Sequence, residues 1–251
     1  MTRATPRIIV TAAGDFGRTA AAAILELLAT FHTPVVGLST GNTPVAVYAA
    51  LLDMARQRPG LLACIARAFA IDEYVCPRGD PAANRAFFAQ HWSTIPGAPP
   101  VEQFDPDAPD LAVEAERVAA LLARAGGLDL ALVGIGTNGH LAFNEPGSTA
   151  DSTVRVVELA PESRTAAFAF GPEPPRLGMT LGMRELLGAR RVLLLANGRG
   201  KAAIIERALR GPVSSACPAS FLQLHGALTV VLDTAAASGL DSLAHPGGLE
   251  R

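Results

Sequence analysis

Short apolar runs bounded by Gly or Pro alternate with longer stretches whose apolar residues recur every three or four positions. The first pattern reads as buried strands and the second as helices with one apolar face. Strands are expected at Arg7–Val10, Pro34–Ser39, Ala68–Asp72, Leu130–Gly134, Arg155–Leu159, Arg191–Ala196 and Leu228–Leu232. Helices are expected at Phe16–Phe31, Pro44–Arg56, Asn84–Trp92, Leu111–Arg124, Lys201–Leu209 and Ala219–Leu224. Pro44 then falls in a first turn, where a missing N–H does no harm. Such alternation predicts an α/β fold, with a mainly parallel central sheet covered by helices on both faces. There is no internal repeat, and the 251 residues fit a single domain, 1–251.

Two proline-rich stretches interrupt the pattern, Pro96–Pro109 and Gly171–Pro175. Both read as surface linkers, and the second alternatively as a mobile flap beside a site. Residues 235–251 lack a long amphipathic pattern and are expected to form a loose C-terminal tail, at most opened by a short helix.

Composition narrows the function classes. Apolar residues make up 49% and charged residues 18%, which supports a large core and argues against long disordered tracts. Net charge is −2 with no basic run, so there is no nucleic-acid or membrane-surface footprint. The alanine-rich segment Thr19–Thr30 is too short to span a membrane and reads as a packed helix. Cys64, Cys76 and Cys217 are scattered, with no CxxC pair to suggest disulfides or zinc. The N-terminus shows no signal-peptide pattern, and a reducing, cytoplasmic location is the simplest inference.

Four segments carry candidate chemistry. Ser39-Thr40-Gly41-Asn42-Thr43-Pro44 follows a strand and opens a helix, which suits a small phosphate ester. It has neither the Gly-Lys-Ser/Thr of a Walker loop nor a GxGxxG fingerprint, and it is also compatible with an ordinary turn. Asp72 and Glu73 end a strand together, and period-two geometry sends only one of them toward a ligand. The loop Gly134–Gly147 (GIGTNGHLAFNEPG) follows a buried strand and delivers His140 and Glu145 to the same sheet edge, with Gly136 and Asn138 beside them. An imidazole and a carboxylate at that edge are parts of an acid–base site. Arg164 in PESRTAAF and Lys201 in ANGRGKA are local cations able to hold a phosphate, or simply solvated surface charges. No segment has metal-ligand spacing, and His32, His91, His225 and His245 are too scattered to act as ligands.

The order STGNTP, DEYV, GIGTNGHLAFNEPG, NGRGKA and PASFLQLH, spanning about Ile8 to Asp233, resembles the glucosamine-6-phosphate deaminase family. The NGHLAFNEPG element is the most specific part of that resemblance. It implies a modified Rossmann-like fold and conversion of glucosamine 6-phosphate and water to fructose 6-phosphate and ammonia, without metal or organic cofactor. By the same resemblance Asp72 shuttles the proton between carbons, His140 opens the sugar ring, and Glu145 partners His140. Ser39, Thr40, Gly41, Asn42, Thr43, Arg164 and Lys201 take phosphate-binding positions. Monomers and homo-oligomers up to hexamers are both compatible with it.

The chain departs from the family pattern in two places. Asn138 stands where many members carry Asp; an amide can hydrogen-bond but cannot stabilise imidazolium by charge, so Glu145 is expected to be the main charged partner of His140. Val157 replaces a basic residue near Arg155, which argues against activation by N-acetylglucosamine 6-phosphate. Deamination of the galacto epimer stays open as an alternative. The related 6-phosphogluconolactonases are disfavoured because they carry Asp-Glu-Arg where this chain has Asp72-Glu73-Tyr74, and lack Phe143-Asn144-Glu145. A sugar-phosphate sensor would have no use for the acid–base set and would want an attached DNA-binding helix pair.

The chemistry suits these side chains. Ring opening moves a proton from the C1 hydroxyl toward the ring oxygen, and an imidazole with an ordinary pKa of about 6.5 can do both halves near neutral pH. A carboxylate partner fixes the imidazole tautomer. A second carboxyl can then take the C2 proton and return it at C1.

Overall fold

The computed structural model describes residues 5–77, 79–81, 83–168 and 174–240. In chain order its strands are β1 (Arg7–Thr11), β2 (Val35–Leu38), β3 (Arg67–Ala70), β4 (Asp72–Tyr74), β5 (Val101–Glu102), β6 (Leu130–Gly134), β7 (Arg155–Glu158), β8 (Leu177–Thr180), β9 (Arg191–Ala196) and β10 (Leu228–Asp233). The α-helices are α1 (Phe16–Leu28), α2 (Asn42–Gln57), α3 (Asn84–His91), α4 (Leu111–Arg124), α5 (Pro161–Phe168), α6 (Met183–Leu187), α7 (Ala202–Arg210) and α8 (Thr234–Ala237).

Seven strands form the central sheet in the order β1-β10-β9-β6-β2-β3-β5, and every pairing in it is parallel. Along the inner strands successive side chains enter opposite helix layers. On β6, Leu130 and Leu132 pack with apolar residues of α1, α2 and α3, while Ala131 and Val133 pack with those of α4, α6, α7 and α8. Burial on both faces is why these strands read as continuous apolar runs rather than alternating ones. The expected three-layer α/β architecture is therefore the observed one.

Strand order locates the site. From β2 the chain builds outward through β3 to β5, then returns to the other side of β2 as β6 and proceeds through β9 and β10. Connections leaving β2 and β6 thus diverge, opening a crevice at the strands' carboxyl ends.

Several expectations need correction. Ala68–Asp72 is not one strand. The Ile71 N–H still donates to Leu38 of the central sheet (3.2 Å), but its carbonyl accepts from Leu181 (2.8 Å). Beyond that handover β4 joins a second, antiparallel sheet of order β4-β8-β7, in which Asp72 pairs with Thr180. A linear hydrophobic pattern cannot register a change of partner. The same limitation hid β8 and α6, four and five residues long, and α5, which starts at Pro161.

Helix ends also move. α1 stops at Leu28 rather than Phe31, α2 begins two residues before Pro44, and Ala219–Leu224 lies in a seven-residue 3-10 segment, Pro218–Leu224. The Pro96–Pro109 stretch is more than a linker, since it holds the edge strand β5. Residues 235–240 are not loose: α8 packs Ala236 and Ala237 inside, and Leu240 is buried as well. The rest of that stretch, 241–251, lies outside the described residues, as do 171–173 of the expected flap. Among the described residues no helix is long and apolar enough to cross a membrane.

Candidate active site

A cavity of about 300 Å³ occupies the crevice between the β2 and β6 connections. Ser39 to Thr43 line one part of it; Asp72, Tyr74 and Asn84 a second; Gly136, His140 and Phe143 a third; Glu162, Ser163 and Lys201 a fourth. Side chains separated by up to 162 positions in the sequence therefore share one space.

The loop after β2 is held from behind. The Tyr48 hydroxyl donates to the Ser39 carbonyl (2.8 Å), and the Thr43 hydroxyl donates to the Asn197 side-chain oxygen (2.9 Å). Gly41 has a φ of +101°, a left-handed conformation that glycine adopts without strain, and α2 begins at the next residue. The unsatisfied N–H groups of a helix start thus border the cavity. Ser39 Oγ is buried and makes no hydrogen bond within the protein, which leaves its hydroxyl free to bond a ligand in the cavity.

Lys201 supplies the nearest positive charge. It is the only lysine in the chain, where every other basic side chain apart from histidine is arginine. Its Nζ donates to the Ile135 carbonyl (2.7 Å), and burial lowers its pKa. The loop carrying it is braced by Asp233, whose carboxylate accepts from the Gly198 N–H (3.0 and 2.9 Å).

Asp72 and Glu73 point opposite ways, as strand geometry requires. Glu73 is fully buried and accepts three backbone N–H groups, from Tyr74 (2.9 Å), Asn84 (2.7 Å) and Arg85 (2.9 Å). It therefore caps the start of α3 and is not a cavity group. Burial pushes it up to about 7 against the opposing pull of those N–H groups and the Arg85 guanidinium. Asp72 does line the cavity. Burial first, and the neighbouring Glu73 charge second, push its carboxyl up to about 8. A carboxyl in that range can both take and give a proton near neutrality.

His140 lies flat over Gly136. A Cβ placed on Gly136 would come within 2.2 Å of the imidazole, so only glycine leaves room for the ring. His140 Nδ1 is 3.2 Å from Glu145 Oε2, which leaves Nε2 as the other reactive nitrogen. Glu145 also accepts from Asn138 Nδ2 (2.9 Å) and from the Ser163 hydroxyl (2.5 Å). Burial works to raise the Glu145 carboxyl, but His140, Ser163 and Asn138 outweigh it and hold it down at about 2. An ionised Glu145 beside Nδ1 fixes one ring tautomer.

The following turn is tightly made. Ala142 takes a φ of +50°, unusual for a residue with a Cβ, while buried Asn144 donates to the Leu141 (3.0 Å) and Leu181 (2.9 Å) carbonyls. That turn sets Phe143 against Tyr74, their rings 4.7 Å apart.

Most of the expected site residues meet here, with differences of position. Glu145 and Asn138 stand behind His140 rather than on the cavity surface. Arg164 does not line the cavity; its neighbour Ser163 does, and Arg164 Nε is buried without a hydrogen-bond partner. Asn84 and Ser163 went unnoticed in the sequence. Asn84, three residues beyond a proline and opening a helix, carried a weak signal; Ser163 carried none. Among the described residues no three His, Cys, Asp or Glu side chains gather as a metal site, and the three cysteines are free.

Known proteins resemble this chain in sequence and in fold. The family model of glucosamine-6-phosphate isomerases/6-phosphogluconolactonase matches residues 10–231. A glucosamine-6-phosphate deaminase from Rhodopirellula baltica is 41% identical over 228 residues, covering 88% of this chain and 90% of that protein. One from Pseudarthrobacter chlorophenolicus is 38% identical over 239 residues, covering 93% and 92%. Among solved structures, a monomeric glucosamine-6-phosphate deaminase superposes with a TM-score of 0.87 at 30% identity, covering 93% of this chain and 99% of its own. A Trypanosoma brucei 6-phosphogluconolactonase shares the fold, with a TM-score of 0.76 at 24% identity over 94% of this chain and 99% of its own.

Proposed function

Because the chain belongs to the glucosamine-6-phosphate isomerase/6-phosphogluconolactonase family, we propose that it is a deaminating aldose–ketose isomerase. Its substrates are glucosamine 6-phosphate and water, and its products are fructose 6-phosphate and ammonia, the activity named for the relatives that it matches over nine-tenths of its length. The observation that carries the reading is the shared cavity: the Asp72 carboxyl, able to exchange a proton near neutrality, and the His140 imidazole, backed by Glu145, open onto the same space as an anion-ready helix start.

Phosphate binds to the Ser39–Thr43 loop and the N–H groups of α2, with Lys201 as a point charge. His140 Nε2 relays the C1 hydroxyl proton to the ring oxygen, Glu145 holding the imidazole in place. Asp72 removes the C2 proton from the open chain and delivers it to C1, while the amine nitrogen gives up a proton to the C1 oxygen. The resulting C2 imine is hydrolysed by water, releasing ammonia and leaving the ketone.

The lactonase activity found elsewhere in the family is disfavoured because Tyr74 and Phe143-Asn144-Glu145 depart from the lactonase pattern; the two segments meet where Tyr74 packs on Phe143. A coupled assay for ammonia and fructose 6-phosphate tests the proposal, run beside galactosamine 6-phosphate and 6-phosphogluconolactone. Turnover of the lactone alone, or of none of the three, would overturn it.

A further inference from the structure

Asn84 makes a bridge that neither the family resemblance nor the proposed mechanism assigns. Its side chain is buried, and Nδ2 donates to Asp72 Oδ1 (2.6 Å) and to the Asp72 carbonyl (2.9 Å). Its Oδ1 accepts from the Thr40 hydroxyl (2.8 Å). The Asp72 carbonyl can only accept, and this orients the amide with Nδ2 toward Asp72 and Oδ1 toward Thr40. The backbone at Asn84 is pinned too, its N–H given to Glu73. Thr40 and Asp72 both line the cavity, so the bridge joins the anion loop to the carboxyl across one buried amide.

We propose that Asn84 is a positioning residue that ties Asp72 to the phosphate loop, holding Oδ1 so that Oδ2 is the oxygen that exchanges protons with the sugar. Donation from Thr40 polarises the amide and strengthens its N–H bond to Asp72, which favours the ionised carboxylate. Thr40 has a single hydroxyl proton. A phosphate dianion on the loop competes for it, weakens the relay and leaves Asp72 the stronger base when substrate is present. The catalytic meaning of the relay rests on the role of Asp72 proposed above; the relay itself does not.

The titratable groups around Asp72 are Glu73 and Tyr74 on its own strand, Tyr48 from α2, and Glu162, His140 and Lys201 lining the same cavity. None is altered in the variants used as a test. The Asp72 carboxyl is followed by ¹³C NMR titration of the ligand-free protein, its signal identified by its loss in Asp72→Asn. Asn84→Ala is expected to move the Asp72 pKa up by about one pH unit, the size of a lost hydrogen bond to a charged group. Thr40→Val is expected to move it up by less, and by nothing further once Asn84 is already alanine. An unmoved Asp72 in Asn84→Ala, or a Thr40→Val effect of the same size with and without Asn84, overturns the relay.

Should Asn84→Ala fail to fold, Thr40→Ser and Thr40→Val decide. The serine keeps the donor and should leave Asp72 unmoved, the valine should raise it, and equal behaviour counts against the proposal. In turnover assays Asn84→Ala should lower kcat more than it raises KM and move the pH profile in the same direction as the titration. Inactivity of the wild type on every sugar phosphate would sink the functional reading while leaving the relay to be judged by NMR.

Discussion

Asp72→Asn separates catalysis from stability and tests both. The carboxyl is buried at the seam of two sheets, receives one side-chain N–H, and is pushed from an ordinary 3.8 to about 8. Between those values the folded protein binds a proton that the unfolded chain has released, so stability falls as pH rises through the window. At about 1.4 kcal/mol per tenfold in proton affinity, the complete penalty above pH 8 is on the order of 5 kcal/mol. A neutral amide of the same shape removes it, and its oxygen can still accept from Asn84. Thermal melts of both proteins from pH 4 to pH 9 should show little difference at the acid end and a growing advantage for the variant toward the alkaline end. With about 2–4 °C of Tm per kcal/mol in a chain of this size, even a fifth of the full effect is measurable. Turnover should fall in parallel by roughly 10²–10⁴-fold, the usual loss on removing an acid–base group. A Tm difference independent of pH would refute the raised pKa, and near-normal turnover would remove Asp72 from the mechanism.

Other perturbations bear on the remaining parts of the site. His140→Gln should slow the ring-closed substrate far more than an open-chain analogue; equal losses would argue against a ring-opening role. Glu145→Gln should flatten the acid limb of stability, because a carboxyl held at about 2 contributes stability above pH 4.5 that disappears as pH falls toward 2. Melts that stay parallel to wild type down to pH 2 would count against that ion pair. Ser163→Ala removes a hydrogen bond to the same carboxylate and should lower kcat about tenfold with little change in KM. An increase confined to KM would place Ser163 in binding instead. Lys201→Ala should mainly raise KM. In the wild type an amine-selective reagent should label only the N-terminus and Lys201, with inorganic phosphate protecting the latter; labelling unaffected by phosphate would take Lys201 out of the anion site.

The fold was legible because its inner strands are buried on both faces. Leu130–Gly134 and Arg191–Ala196 are continuous apolar runs closed by glycine or asparagine, and both strands occupy those residues. Loops that end such strands, STGNT and GIGTNGH, could be read as site loops for the same reason: glycines and hydroxyls replace the apolar run at a sheet edge. What the sequence left hidden depends on pairing in three dimensions. Nothing local marks Ile71 as the residue where a strand changes sheets, and that handover carries Asp72 out of the central sheet into the cavity wall. Arg164 drew attention because guanidinium suits phosphate, yet helical rotation from Ser163 to Arg164 places the serine, not the arginine, on the cavity.

The topology explains why the cavity gathers these groups and no others. The strands on one side of the crevice, β2 and β3, deliver the anion loop and, through the break at Ile71, Asp72; β6 and β9, on the other side, deliver His140 and Lys201. Each half alone holds incomplete chemistry: an anion site and a carboxyl without an imidazole, or an imidazole pair without a loop for the phosphate. The two are joined by direct bonds that cross the crevice, from Thr43 to Asn197, and by the antiparallel ladder that runs from Asp72 on β4 to Thr180 on β8. Thr180 Oγ1 accepts in turn from the Phe143 N–H (3.1 Å), inside the turn that carries Glu145 to the imidazole. Carboxyl and imidazole are thereby positioned by one continuous set of backbone and hydroxyl contacts. A shift of β4 against β8 by one residue would displace Asp72 from Thr180 and from the turn that carries Glu145, so the small sheet, together with the loop after β6, sets where carboxyl and imidazole meet.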